Sequence, residues 1–422
     1  MPNILDFCYQ KINYITDQVE MPDIKNSSNI NFSIRYSSTE KLNFIFAGAG
    51  TYGNVLRVKN MTHEQSIVPT GEYFIMKIMK VKHDEPDRCI KIKRVIKKIK
   101  NKKNKNIETK IKSKIKLDLI DKYTTNILDV KKGKNNKNDV IFLEYIPGYD
   151  LKDLLVNKNL NQEDVDLIFL MTLISVRIFH KIMKLSHRDL KLENLFYNEK
   201  TRKVQLIDYS FVCDKDDIDC FRRNQGTAKY IHPKQNKRST LKFHESKNNS
   251  VISIMNSPRT KKKIYNYPNS FSQDLYSCII ILLKLHYQHL KKNLHLLNSK
   301  NRLVFDIMVE YNKSFKKMKN KYQEKKIRYK VKNILFKKLL ALNHDQVYSP
   351  SITVLINIIQ KYWNPKKRDF VIEGKTDDNV ASIILDELIN NLSLVTKLTK
   401  DKVISGNALF KEKKHKKEIL HD

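Results

Sequence analysis

A chain of 422 residues with 41% hydrophobic side chains can bury either one large core with extensions or two modest ones. Its formal net charge of +36 suggests a polyanionic partner, nucleic acid or a membrane surface, held by phosphate contacts. The same lysines read as solvated surface if the composition, rich in lysine, isoleucine and asparagine and poor in glycine, reflects A/T-rich coding. The five cysteines (Cys8, Cys89, Cys213, Cys220, Cys278) are odd in number and scattered, which argues against a disulfide framework or zinc site and suits a reducing interior. No basic leader followed by an apolar stretch opens the chain, and its most apolar run, Cys278 to Leu283, is too short to span a bilayer.

Residues 1–40 are polar, with Asn/Ser clusters, and read as a loose N-terminal extension. Strand-like runs follow in "KLNFIF", "NVLRVKN" and "EYFIMKIMKV", the first two separated by a window holding Gly48, Gly50 and Gly53, three of only nine glycines. The spacing G-x-G-x-x-G serves dinucleotide sites and the phosphate lid of kinases. A dinucleotide site needs a helix directly after the glycines; the β-branched, alternating "NVLRV" predicts a strand and so a hairpin. Residues 90–116 form a lysine-rich run, read as helix with an inserted flexible piece near 90–107. "NDVIFLEYIPGYDLKDLL" gives a strand, a Pro-Gly break and a short helix. Asn161 to Lys184 is apolar at helical spacing. Residues 235–271 read as an exposed insertion, "QDLYSCIIILLKLHYQHL" as a buried helix, and 364–422 as a basic C-terminal extension.

One segment decides among the chemistries. In "LSHRDLKLENLFY" the residues His187, Arg188, Asp189, Leu190, Lys191 and Asn194 fill every position of H-R-D-L-K-x-x-N, the catalytic-loop pattern of kinases. Together with the glycine window upstream, this makes residues 41–363 resemble the eukaryotic protein kinase family. In its irregular insertions and lysine content the chain is similar in style to divergent kinases of large DNA viruses or A/T-rich protists. The resemblance implies an α+β, bilobal fold, with a small β-rich N-lobe at about 41–143 and a larger helical C-lobe at about 149–363. It also implies a protein serine/threonine kinase that uses ATP and Mg²⁺, acts on protein substrates, and resides in the cytoplasm or nucleus, or in a viral host's cytoplasm.

Residue by residue, the resemblance makes Asp189 the group that accepts or orients the substrate hydroxyl proton and Lys191 the group that steadies the γ-phosphate. Asn194 and Asp208, the latter in "QLIDYSF", become the Mg²⁺ ligands. Ala47, Gly48, Gly50 and Gly53 lie over the ATP phosphates, Val55 on the adenine, and Lys77 on the α- and β-phosphates. Glu108 is the expected ion-pair partner of Lys77, with Glu85 nearer in sequence. In the hinge-like "FLEYIPG", Leu143 is the gatekeeper, and the backbones of Glu144 and Ile146 face the adenine edge. Asp150 stands at the ribose position, Phe196 floors the adenine pocket, and Asp274 anchors the catalytic loop.

The chain departs from the family pattern in several places. Ser210 stands where D-F-G has its glycine, which predicts a less mobile segment. Ile75 replaces the alanine over the adenine, which predicts a tighter pocket. Residues 211–226 contain no Ser, Thr or Tyr to phosphorylate, so Asp214, Asp216, Asp217 and Asp219 are the groups left to offer Arg188 negative charge. Lys234 replaces the glutamate of A-P-E, whose usual arginine partner is also missing. Ser257 before Pro258 is a phosphosite candidate. Glu193 points to basic substrate residues and the net charge to acidic ones. The alternatives to an active enzyme are a pseudokinase scaffold and a polyanion-binding protein on a kinase-like body. Nothing in the sequence speaks to oligomeric state.

Overall fold

The computed structural model describes residues 4–20, 31–35, 37–38, 40–49, 52–61, 68–80, 83–101, 107–133, 138–214, 226–233, 270–316, 321–342, 349–375 and 377–395. Gly50, Lys234, Ser257, Asp216, Asp217, Asp219 and nearly all of the expected 235–271 insertion lie outside them. The chain divides into two compact units, Met1–Gly148 with Ile207–Ser210, and Tyr149–Leu206 with Phe211–Asp422.

The first unit is a six-stranded antiparallel sheet with helices. Its elements are α1 (Ile4–Gln10), α2 (Ile12–Glu20), β1 (Asn31–Arg35), β2 (Lys41–Ala49), β3 (Gly53–Asn60), β4 (Tyr73–Met79), α3 (Glu85–Asn101), α4 (Ile107–Tyr123), β5 (Ile127–Lys131) and β6 (Val140–Glu144). The strand order is β1-β2-β3-β4-β6-β5. Alternation along the strands sorts the two faces. Leu56, Val58, Phe74, Met76 and Phe142 are buried in one core with Ile4, Leu5, Cys8, Ile12 and Ile15. Val55, Lys77 and Ile141 are direct cross-strand partners on the opposite face.

The core contacts of α1 and α2 correct the expected loose extension: the N-terminal segment folds onto the sheet, and β1 extends its edge. The expected insertion near 90–107 is also corrected in part, because Glu85–Asn101 is one continuous helix. It opens with Glu85, Pro86 and Asp87, an acidic, proline-bearing first turn of the kind that favours helix starts.

In the second unit, β7 (Gly148–Asp150), β9 (Leu195–Asn198) and β10 (Lys203–Leu206) form a small sheet, and β8 (Leu185–Ser186) pairs with β11 (Cys213–Asp214). The helices are α5 (Leu151–Asn157), α6 (Gln162–Ile178), α7 (Ser270–Lys292), α8 (Ser299–Lys316), α9 (Lys321–Leu340), α10 (Pro350–Tyr362) and α11 (Asp377–Val395). The hairpin β12 (Trp363–Asn364) with β13 (Asp369–Phe370) joins the last two. Helix α6 starts at a capping box in which Asn161 and Asp164 satisfy each other's backbone N–H, and it packs against α7 and α11.

Residues 364–395 are therefore part of this unit's core, which corrects the boundary expected at residue 363. Val380, Ile384, Leu385, Leu388 and Leu392 are buried on one face of α11, and Arg177 of α6 forms a bidentate ion pair with Asp386 at 2.5 and 2.6 Å. The chain's one tryptophan, Trp363, lies tilted against Phe336 (4.1 Å between centroids) and meets Phe370 edge-on at 5.1 Å.

Among the described residues Cys8, Cys89 and Cys278 are free, whereas Cys213 is disulfide-bonded, against the expectation of unpaired cysteines. No helix among them is long and apolar enough to cross a membrane.

Leu388, fully buried in a segment that composition reads as an appendage, gives a direct test. Leu388→Ala should lower unfolding free energy by about 3 kcal/mol, the range for emptying a core leucine site. Denaturant titration followed by Trp363 fluorescence measures it, and an appendage would lose almost nothing.

Candidate active site

In the first unit the chemistry gathers on Lys77. Mid-strand in β4, its Nζ donates to both oxygens of Glu85, at 2.7 and 2.8 Å, and lies 3.5 Å from Oδ1 of Asp208. Glu85, not the expected Glu108, is the partner of Lys77. Glu108 belongs to the next helix, α4, and its side chain is outside the described residues. Burial alone would lower the Lys77 ammonium, but the charges of Asp208 and Glu85 hold it above the ordinary lysine range. Burial pushes the Glu85 carboxyl up, against the pull of Lys77.

The strands bring Val55 opposite Lys77, and Ile75 opposite Leu143. Ala47 sits at the β-bulge between Phe46 and Gly48. The two described glycines of the lid differ. A Cβ on Gly48 would meet nothing within 4 Å, whereas one on Gly53 would lie 2.4 Å from the Ile78 carbonyl oxygen. Gly53 is therefore required by its own neighbouring strand, and Gly48 faces open space. Ile146 is buried, and the Glu144 backbone N–H is engaged with the Asn126 carbonyl at 3.0 Å.

In the second unit the catalytic-loop pattern forms a wired carboxylate. Asp189 Oδ1 accepts from the Thr227 N–H at 2.6 Å; Oδ2 accepts from the Asn194 amide at 3.1 Å and lies 3.2 Å from Lys191 Nζ. The Asn194 amide nitrogen also donates to the Asp189 carbonyl at 2.9 Å, which leaves the amide oxygen as its remaining donor atom toward a cation. Gly226, at φ +107°, makes this approach possible, since a Cβ there would lie 2.6 Å from the Arg188 carbonyl oxygen.

The loop is held from below by Asp274, fully buried in α7. Its carboxylate accepts the His187 and Arg188 N–H groups, both at 2.7 Å, and His180 Nε2 at 2.8 Å. Burial lowers the His180 imidazole, against the raising pull of Asp274. Arg188 is buried, with its guanidinium on Gln273 Oε1 and Cys213 Sγ, both at 3.4 Å. Asp150 caps α5 by accepting the Asp153 N–H at 2.8 Å, a structural role at the position expected to meet ribose. Phe196 lies half-buried in β9.

Several participants escaped the sequence reading. Three consecutive carbonyls of residues 229–231 are each held by a side chain from a different helix. Tyr311 donates to Lys229 at 2.6 Å, Ser277 to Tyr230 at 2.9 Å, and the fully buried Lys332 to Ile231. His232 adds a contact to Asp369 at 3.3 Å. These contacts hold the segment whose expected glutamate–arginine anchor is absent.

A model of the protein kinase domain matches residues 45–242. Over 80 residues the chain is 35% identical to the serine/threonine-protein kinase ppk25 of Schizosaccharomyces pombe, covering 18% of this chain and 19% of the relative. It is 34% identical over 104 residues to the probable serine/threonine-protein kinase fnkB of Dictyostelium discoideum, covering 24% and 19%. Myosin light chain kinase family member 4 of Homo sapiens is 27% identical over 112 residues, covering 26% and 29%. The chain spans about a fifth of the length of the first two relatives. It carries a eukaryotic-type protein kinase domain, divergent in sequence, whose β-rich and helical units are those of the bilobal kinase fold.

Removing a carboxylate beside Lys77 destabilises its ammonium form, lowers its pKa and raises the fraction of free amine. Glu85→Gln should therefore speed acylation of Lys77 by an amine-directed ester at about pH 8 by roughly threefold or more. Glu108→Gln should leave it unchanged. Peptide mass spectrometry reads both, and the reverse pattern would restore Glu108 as the partner.

Proposed function

We propose that the chain is an active protein serine/threonine kinase that transfers the γ-phosphate of Mg²⁺-ATP to hydroxyls of protein substrates. The observation that carries this reading is the Asp189 carboxylate, held by Thr227, Asn194 and Lys191 in one orientation. A general base has to be fixed within hydrogen-bond reach of its proton, and three donors fix this one. Asp189 orients the substrate hydroxyl and takes its proton as the oxygen attacks. Lys191 lies beside that carboxylate, where its charge meets the transferring phosphoryl group, as in serine/threonine kinases. Lys77, kept charged by its two carboxylates, binds the α- and β-phosphates, and the open face at Gly48 leaves room for them.

The residues present fit Mg²⁺, which takes hard oxygen donors and usually one or two carboxylates plus substrate phosphates. The Asp208 carboxylate in the first unit and the Asn194 amide oxygen in the second are each a hard oxygen donor suited to such an ion, which when bound would neutralise charge on the phosphates. The catalytic role of each residue is our assignment, as is the choice of an active enzyme over a pseudokinase. Retention of Lys77, Asp189, Asn194 and Asp208 together supports the active reading.

Transfer of labelled γ-phosphate to a mixed panel of Ser/Thr proteins tests it. Asp189→Ala should lower transfer by roughly a hundredfold or more, and chelation of Mg²⁺ should abolish it. Nucleotide binding without transfer in the unaltered chain would overturn the reading in favour of a scaffold.

If the pinned carbonyls of residues 229–231 support the protein substrate, Lys332→Met should raise KM for protein several-fold and leave KM for ATP within about twofold. Steady-state kinetics with each substrate varied separates the two.

A further inference from the structure

Ser210 follows directly on the D-Y of the "DYS" segment, and the proposed reaction gives it no task. It is buried, and its Oγ lies 2.7 Å from Glu85 Oε2 and 2.5 Å from Asp208 Oδ1. Its backbone N–H donates to the same Asp208 oxygen at 3.2 Å. Because Glu85 and Asp208 are the two carboxylates on Lys77, the contacts close a ring, Lys77, Glu85, Ser210, Asp208 and back to Lys77, in which the one hydroxyl proton goes to one carboxylate at a time. Besides it, Asp208 reaches the Lys77–Glu85 pair through a long 3.5 Å contact with Lys77.

Asp208 sits at φ +61°, a conformation that persists only where its surroundings impose it. Both the N–H and the hydroxyl of Ser210 grip the carboxylate that this backbone presents. The residue between them is fixed as well: Tyr209 is fully buried and donates its phenol to the Thr125 carbonyl at 2.9 Å. A phosphorylated side chain is one familiar means of ordering such a segment, yet residues 211–226 offer no Ser, Thr or Tyr.

We propose that Ser210 is a positioning residue whose hydroxyl couples α3 to Asp208, so that residues 208–210 are held by their own side chains and the enzyme works without phosphorylation. This rests on the kinase reading above for its consequence in catalysis, and on geometry alone for the coupling itself.

The experiment uses the full chain, treated with phosphatase until mass spectrometry finds no phosphate, in four forms: unaltered, Ser210→Ala, Ser210→Gly and Ser210→Thr. Hydrogen exchange of a peptide spanning residues 204–212 is read beside steady-state transfer kinetics. The unaltered, phosphate-free chain should transfer phosphate at the rate of the untreated one. Ser210→Ala and Ser210→Gly should exchange roughly tenfold faster across the segment and raise KM for Mg²⁺-ATP more than they lower kcat. Ser210→Thr, which keeps the hydroxyl, should restore both.

Exchange in Ser210→Ala within about twofold of the unaltered chain would overturn the coupling, as would failure of Ser210→Thr to rescue when its melting temperature matches the unaltered chain. Loss of transfer on phosphatase treatment would overturn the phosphate-independent working. If no form transfers phosphate while exchange still rises in Ser210→Ala, the kinase reading fails and the coupling stands.

Discussion

A carboxylate shut off from water needs donors on its lone pairs, or its burial costs more than the fold can spare. Asp274 meets that demand with the N–H groups of His187 and Arg188 and with His180 Nε2. Much of the second unit's chemistry depends on that arrangement. Two successive backbone N–H groups can converge on one carboxylate only if the chain turns sharply, and Arg188 does so at φ +67°. That turn costs about 1 kcal/mol or more, and it brings Asp189 to the groups that fix its carboxylate. The same turn leaves the Arg188 carbonyl where only a glycine, Gly226, can pass. One buried anion on α7 thus sets the loop, the Asp189 carboxylate and the start of the 226–233 segment.

In the first unit the same physics runs with the sign reversed. Lys77 is a largely buried cation on an apolar strand, and two carboxylates compensate it. Two anions for one cation leave the cluster net negative, a local charge that suits a further cation more than a bare phosphate. Ser210 places one neutral hydroxyl between the carboxylates, its single proton available to one of them at a time, and adds no second positive charge. The D-Y-S spelling and the choice of Glu85 are therefore one feature seen from two places in the sequence.

Much of this was legible before the fold was known, and the reasons for the failures are specific. The H-R-D-L-K-x-x-N loop, Lys77, Asp208 and Asp274 stand in short motifs, so the places where their side chains meet could be traced residue by residue, while their chemical roles remain those proposed. Glu85 is masked in the sequence by the lysine run behind it, which has the composition of an insertion. The helix-start signal at Asp84, Glu85 and Pro86 was the better guide, since it fixes where α3 begins. The two terminal segments were misjudged on composition. Ile4, Cys8, Ile12, Ile15 and Val19 step by three or four residues, as do Val380, Ile384, Leu388 and Leu392, and that period marks an apolar helical face. Charge and Asn/Ser content masked it. The three helix-borne donors to residues 229–231 had no sequence signal, because a side chain that meets a distant backbone carbonyl leaves no local pattern.

Those donors bear on how a divergent chain keeps a family's fold. An ion pair buried between two helices is costly to desolvate, and losing one partner is worse than losing both. Here the position of the anchoring glutamate carries Lys234, and the expected arginine is missing too, so no orphan charge results. Hydrogen bonds from Tyr311, Ser277 and Lys332 spread the load over three consecutive carbonyls, of which those of the buried Tyr230 and Ile231 most need a donor. Lys332 is itself fully buried, its Nζ 5.9 Å from the centroid of the Tyr276 ring. Tyr276 in turn stacks on Phe336, which lies against Trp363. The substitution moves the anchor from a charge pair to an aromatic floor with donors above it. That floor includes Trp363 and Phe370, residues of the β12–β13 hairpin that leads into α11, so the core of the second unit has to extend past residue 363.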